Sequence, residues 1–253
     1  MDEGRRLGRV AGLPAARLQH GCLPPIVLSD EPERELRDYC GEYLKEKIQA
    51  EGLVRNLPAF TRFLEAAALA NGELLSYSSA ARDCGVALKT VREHFQILVD
   101  TLLGHVLSPW TRTRKRRSIL TPKLYCFDCG IPNTLLGRRL PPKTPEYGRA
   151  FEQFLVLEAI AARDYEGKCE RLSYWRSASG YEVDLLIDDH TACEFKTGTI
   201  SWRDAAGILA FGEERRLRNR WIVGLEEKPR KMEERVLVLP WREFLDRIRR
   251  GAF

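Results

Sequence analysis

Two carboxylates and an ammonium stand close together in YEVDLLIDDHTACEFK, Tyr181 to Lys196. Asp184 precedes a Glu-x-Lys triplet, Glu194-Phe195-Lys196. Two β-rich runs around the polar cluster Asp188-Asp189-His190 predict a hairpin. Residues two apart on a strand share a face. Glu194 and Lys196 therefore point one way and Cys193 and Phe195 the other, while Asp184 faces opposite to Val183 and Leu185. Folded back, the hairpin brings Asp184, Glu194 and Lys196 together. Such a set suits Mg²⁺, or Mn²⁺, beside a phosphodiester. Asp184 and Glu194 supply hard oxygen ligands, and Lys196 orients water and offsets phosphate charge. A surface hairpin with solvated charges is the alternative that these residues alone leave open.

The whole chain sets the limits for that chemistry. Its 253 residues are 44% hydrophobic and 30% charged, which suits one large or two small globular domains. No apolar run approaches the ~20 residues that cross a bilayer, so no membrane partner is expected. The N-terminal stretch lacks a signal-peptide core, and the seven cysteines are scattered as reduced thiols would be, so a cytoplasmic protein is expected. No Gly-rich loop ends in Lys-Ser or Lys-Thr, which excludes a P-loop ATPase activity in this chain. The net charge of +5 is concentrated in TRTRKRR, with Arg112, Arg114, Lys115, Arg116 and Arg117, and points to a polyanion.

The elements fall into four stretches, together an α+β protein of two domains. Residues 1–56 hold a Gly- and Arg-rich start, then a helix capped by Ser29 or Asp30 with Pro32 in its first turn. Its apolar stripe is Leu36, Cys40, Tyr43, Leu44 and Ile48, ended by Gly52. Residues 57–127 predict three helices: Pro58 to Ala70, Tyr77 to Cys84 capped by Ser76, and, after a Gly85 turn, Leu88 to Leu102. Val91, Phe95, Leu98 and Leu102 stripe the last one, leaving Lys89, Thr90, Arg92, Glu93 and Gln96 outside. Strand-like runs Leu103 to Trp110 and Ser118 to Phe127 follow, with the basic run at their tip. This is a winged-helix pattern: Lys89, Thr90 and Arg92 would enter a groove while the wing arginines meet phosphates. A domain making only protein contacts is the alternative, and Glu93 favours it. Cys126 and Cys129 lack two further ligands at usable spacing for zinc, so buried cysteines are expected.

Gly130, Pro132, Gly137 and Pro141-Pro142 mark 128–147 as a linker. Residues 148–253 complete the second domain. A helix from Tyr147 to Arg163 carries Glu152 among apolar neighbours. Strands Arg171 to Trp175, Tyr181 to Ile187 and Thr191 to Lys196 follow, then a helix from Trp202 to Glu214, strands Arg220 to Leu225 and Arg235 to Leu239, and a helix from Trp241 to Arg249. Tyr174, Trp175 and Arg176 would either flank a nucleic acid or form an aromatic strand.

That order, with Glu152, Asp184 and Glu194-x-Lys196 at their positions, resembles the PD-(D/E)xK restriction-endonuclease-like fold. The stretches LRDYCGEYLKEKI, LLSYSSAARDCGVALKTVREHFQILVDTLL, PKLYCFDCGI, GRAFEQFLVLE, YWRSASGYEVDLLI and CEFK widen the likeness. Together they resemble the C-terminal region, a winged helix plus a nuclease-like module, of a large prokaryotic group of AAA-type ATPases. The resemblance implies that residues 1–56 begin near the end of the ATPase lid and that the nucleotide-binding half is missing. It implies Glu152, Asp184, Glu194 and Lys196 as catalytic residues and Asp184 and Glu194 as ligands of Mg²⁺ or Mn²⁺. It also implies nucleic acid, DNA before RNA, as substrate, and an ATPase as partner. The alternative within the same family is a non-catalytic DNA-binding or protein-interaction module. Ala87 departs from the pattern, because Ser or Thr is usual there; a missing cap costs ~1 kcal/mol.

Overall fold

The computed structural model describes residues 15–43 and 56–253. Leu44, Ile48 and Gly52, expected on the first helix, lie outside them. The protein is mixed α+β and divides into two compact units: residues up to His105 with Leu124–Thr144, and Val106–Lys123 with Pro145–Phe253.

The first unit contains helices α1 (Ala15–His20), α2 (Pro24–Leu28), α3 (Pro32–Asp38), α4 (Leu57–Leu69), α5 (Tyr77–Cys84), α6 (Leu88–Asp100) and α7 (Gly130–Leu135). Ser29 does not cap α3 directly: its Oγ accepts the Glu31 N–H and donates to Glu35. Asn56 Oδ1 caps α4 through Ala59 N–H at 3.1 Å, and Ser76 Oγ caps α5 through Ser79 N–H at 3.3 Å. Gly85, at φ +65°, ends α5 in the left-handed conformation that glycine adopts freely. Phe60, Phe63, Val91, Phe95 and Leu98 share one core, with Phe63 edge-on to Phe95 at 4.7 Å. Leu102 is not on that stripe. The helix ends at Asp100, Leu102 takes φ +59°, and its side chain is 67% exposed while Leu103 turns inward.

Strands β1 (Gly104–Leu107) and β2 (Lys123–Cys126) pair as a two-stranded sheet, shorter than the expected runs. The basic run between them is not a free wing tip. Trp110 N–H donates to Tyr174 O at 2.7 Å, Tyr174 N–H to Ser108 O at 3.1 Å, and Ile119 N–H to Arg176 O at 2.8 Å. The segment thus satisfies the open backbone edge of a strand in the second unit. The stretch expected as a linker is likewise packed. Asp128 is buried and accepts the N–H groups of Cys22 (2.6 Å) and Gly130 (2.8 Å), and Asn133 Nδ2 donates to Leu18 O at 2.8 Å. A Cβ on Gly130 would lie 2.4 Å from His20 O. The division between units therefore falls at Thr144, and Val106–Lys123 leave the expected 57–127 domain.

In the second unit, helix α8 (Pro145–Glu166) leads into strands β3 (Leu172–Arg176), β4 (Glu182–Ile187) and β5 (Thr191–Lys196). A 3₁₀ turn (Trp202–Ala205), helix α9 (Ala206–Gly212), strands β6 (Asn219–Gly224), β7 (Arg230–Lys231) and β8 (Leu237–Pro240), and helix α10 (Trp241–Arg250) complete it. The sheet order is β3-β4-β5-β6-β8-β7; β5, β6 and β8 run parallel, and the other pairs are antiparallel. Neighbouring strand residues face opposite sides. Ile222 packs with Ile208 and Phe211 of α9, while Trp221 and Phe195 pack on Phe244 of α10. Helices therefore cover both faces.

Candidate metal and phosphodiester site

The hairpin β4–β5 pairs Leu185 with Cys193, Leu186 with Ala192 and Ile187 with Thr191. Its turn needs left-handed backbone at Asp188 (φ +50°) and Asp189 (φ +60°), which aspartate tolerates better than most residues. Continuing that register sets Asp184 beside Glu194. On its other side β4 bulges. Ser173 faces Leu186 and Trp175 faces Val183, so two residues, Asp184 and Leu185, stand against Tyr174 alone. A bulge bends the strand and re-aims its side chains. Here Asp184 Oδ2 accepts the Phe195 N–H at 2.8 Å, a bond the strand backbone would otherwise supply.

Lys196 Nζ donates to Glu194 Oε1 at 2.7 Å, and Glu194 Oε2 is buried with no hydrogen-bond partner among the described residues. Asp184 and Glu194 are both buried. Burial, then the charges of Glu194 and Glu152, push the Asp184 carboxyl well above the ordinary carboxylate range. Burial pushes Glu194 up to about 7 although Lys196 pulls the other way. Burial alone would lower the Lys196 ammonium, but Glu194 and Asp184 outweigh it and raise it. The structure thus brings Glu152, Asp184, Glu194 and Lys196 into one electrostatic cluster.

Two members were missed in the sequence. Lys123 Nζ lies 3.0 Å from Glu152 Oε1 and 2.9 Å from Glu182 Oε1, with its side chain 5% exposed. The Glu182 carboxylate also reaches Arg176 at 3.6 Å. Glu182 could have been found, since it precedes Asp184 by two on one strand. For Lys123 the signal is a single cation inside the apolar strand KLYC.

The chemistry of the donors fits a hard divalent cation, and the unpartnered Glu194 Oε2 is an atom that such an ion would satisfy. Among the described residues no group of three or more His, Cys, Asp or Glu is arranged to hold a metal ion. Mg²⁺, however, is commonly held by one or two carboxylates with water and phosphate oxygens completing the shell. Cys126 and Cys129 are buried, and burial pushes the Cys126 thiol up to about 12, which keeps it protonated.

The other candidate residues are dispersed. On α6, Lys89, Arg92, Glu93 and Gln96 are exposed and Thr90 is half-buried. Arg92 stacks over Tyr77, and Lys89 lies 3.9 Å from Glu93. In the basic run, Arg112 reaches Asp189 (3.4 Å), and Lys115 and Arg116 reach Glu213 (3.5 and 3.2 Å); Arg114 and Arg117 are exposed. Tyr174 and Trp175 are wholly buried, so they form core and not a nucleic-acid flank. No helix among the described residues is long and apolar enough to cross a membrane.

Comparison with known proteins agrees with a two-part chain. Residues 147–244 match the family model of a Domain of unknown function (DUF4143). Uncharacterised proteins of Mycobacterium tuberculosis and Mycobacterium bovis are each 32% identical over 176 residues, 66% of this chain and 38% of the relative. The chain thus spans well under half the length of these curated relatives. No solved structure matches it. Residues 14–141, just over half of the chain, match the model of a Domain of unknown function (DUF8612), and the chain belongs to that family.

Proposed function

We propose that the second unit is a PD-(D/E)xK-type, metal-dependent phosphodiesterase acting on nucleic acid, DNA before RNA. Helices α4 to α6 serve as a winged-helix-like binding element, in a protein that works with a AAA-type ATPase. The observation that carries this reading is the convergence of Asp184, Glu194 and Lys196, with Glu194 Oε2 buried and unpartnered. Asp184 and Glu194 would hold Mg²⁺ or Mn²⁺. When bound, the cation supplies Lewis acidity toward a phosphoryl oxygen and a more acidic water. Lys196 offers N–H donors that orient water and offset phosphate charge. Glu152 is fixed by Lys123, which keeps its carboxylate beside the pair without adding net charge. Burial of the cluster strengthens each of these interactions.

One observation favours a second reading. Lys123 lies between Glu152 and Glu182, and Lys196 is paired with Glu194, so the cluster is largely neutralised from within. A non-catalytic interaction module would keep such a cluster for its fold alone. Calorimetric titration with MnCl₂ separates the two. The phosphodiesterase reading expects saturable binding to the wild type that Glu194→Gln abolishes. The absence of any saturable binding to wild type would favour the interaction module.

A further inference from the structure

A cavity of 610 Å³ opens on the second unit, lined by Arg114, His190, Glu214, Arg215, Arg216 and Arg218. Arg114 comes from the basic run between β1 and β2, while Arg215, Arg216 and Arg218 come from the turn between α9 and β6. All four arginines are exposed, and their side chains make no hydrogen bond or ion pair among the described residues. The one acid in the lining, Glu214, is committed elsewhere. Its side chain is 0% exposed, and its Oε2 accepts the backbone N–H groups of Arg114 (2.6 Å) and Lys115 (2.8 Å). Glu214 thus fixes the basic loop while leaving the guanidinium charge in the cavity unanswered. The neighbouring cations differ: Arg112, Lys115 and Arg116 already have acidic partners in Asp189 and Glu213.

We infer that this cavity binds the phosphate chain of a nucleic acid. Four like charges around one opening repel each other unless a polyanion comes between them. The guanidinium fork matches phosphate oxygens, and a single phosphate would use only one or two of the four. The cavity also lies where β5 and β6 begin, because His190 and Arg218 immediately precede those strands. Glu194 is four residues farther along β5, ~13 Å at strand rise and about four steps of a nucleic-acid strand. That a chain anchored here reaches the acidic cluster rests on the function proposed above; the binding itself does not.

The test is fluorescence anisotropy in EDTA with a labelled DNA oligonucleotide, single-stranded and duplex, from low to physiological salt. The triple variant Arg215→Ala/Arg216→Ala/Arg218→Ala should weaken DNA binding about tenfold or more. It should also flatten the slope of log affinity against log salt by about two to three, near one per lost phosphate contact. Its thermal melt should match wild type, since these side chains have no partner among the described residues. Lys89→Ala/Arg92→Ala should weaken binding less. DNA binding by the triple variant within about twofold of wild type would overturn the inference. Displacement of DNA by inorganic polyphosphate at equal phosphate concentration would overturn nucleic acid as the source of the chain. EDTA keeps metal-dependent cleavage out of this measurement, so the cavity and the cleavage site fail separately.

Discussion

Lys123 Nζ lies 3.0 Å from Glu152 Oε1, and the same ammonium reaches Glu182 at 2.9 Å. One cation thus tethers the start of α8 to the start of β4 and holds Glu152 against the acidic cluster. Removing it takes a shared counter-charge from Glu152 and Glu182, although Glu182 keeps Arg176 at 3.6 Å. Lys123→Met should destabilise the protein by about 3 kcal/mol, the usual scale for breaking a buried pair from one side. Urea denaturation measures it, and adding Glu152→Gln to the variant should recover part of the loss. A change below about 0.5 kcal/mol would mean that the pair is solvated after all.

Asp184 and Glu194 hold one of the protein's least comfortable arrangements, two buried carboxylates side by side. In EDTA, Asp184→Asn should therefore raise the melting temperature by several degrees, because Asn keeps an acceptor for the Phe195 N–H and drops the charge. Mg²⁺ should raise the melting temperature of wild type and leave the variant unmoved, since a ligand stabilises only the state that binds it. A variant that melts lower than wild type in EDTA would contradict this reading.

Asp128 supplies a pH dependence remote from the site. Burial raises its carboxyl above the ordinary value, although the N–H groups of Cys22, Gly130 and Leu23 pull it down. An acid whose folded pKa is raised contributes stability that is complete below its unfolded pKa and lost as pH climbs through the folded one. The stability advantage of wild type over Asp128→Asn should therefore shrink as pH climbs from about 4 through the raised folded value. Denaturant melts across that range measure it, and an advantage that grows with pH would refute it.

Ala87, the residue just before helix α6, is extended (φ −63°, ψ 148°) and offers no side-chain cap. That backbone suits a capping residue, so Ala87→Ser should stabilise the protein by about 1 kcal/mol. Chemical denaturation tests it; a neutral or destabilising result would show that the first turn is already satisfied by other groups.

The elements that local pattern governs were legible in the sequence. Ser76 and Gly85 bound α5, and the alternation around Glu194 and Lys196 gave β5 its ends and faces. What escaped was non-local. The run from Ser108 to Ile119 reads as a wing because strand propensity and a basic tip are local signals, whereas its partners Tyr174 and Arg176 lie far along the chain. Gly130 and Pro132 read as a linker, yet Gly130 serves close packing against His20 and the helix behind it is buried. Glu152 stood out as a carboxylate on an apolar helix, but only the fold could supply Lys123. The paired strand Arg230–Lys231 is too short to carry any periodicity.

The central claim is that Asp184, Glu194 and Lys196 cut phosphodiesters with a divalent cation. The measurement that bears on it most directly is a cleavage panel on supercoiled, linear and single-stranded DNA and on RNA. It uses wild type, Lys196→Ala and Asp184→Ala, each with Mg²⁺, Mn²⁺ or EDTA. The account predicts metal-dependent nicking by wild type that falls by about a hundredfold or more in both variants, the scale expected when a group acting in the transition state is lost. Nicking that survives in Asp184→Ala, or wild type inert on every substrate with either metal, would contradict it.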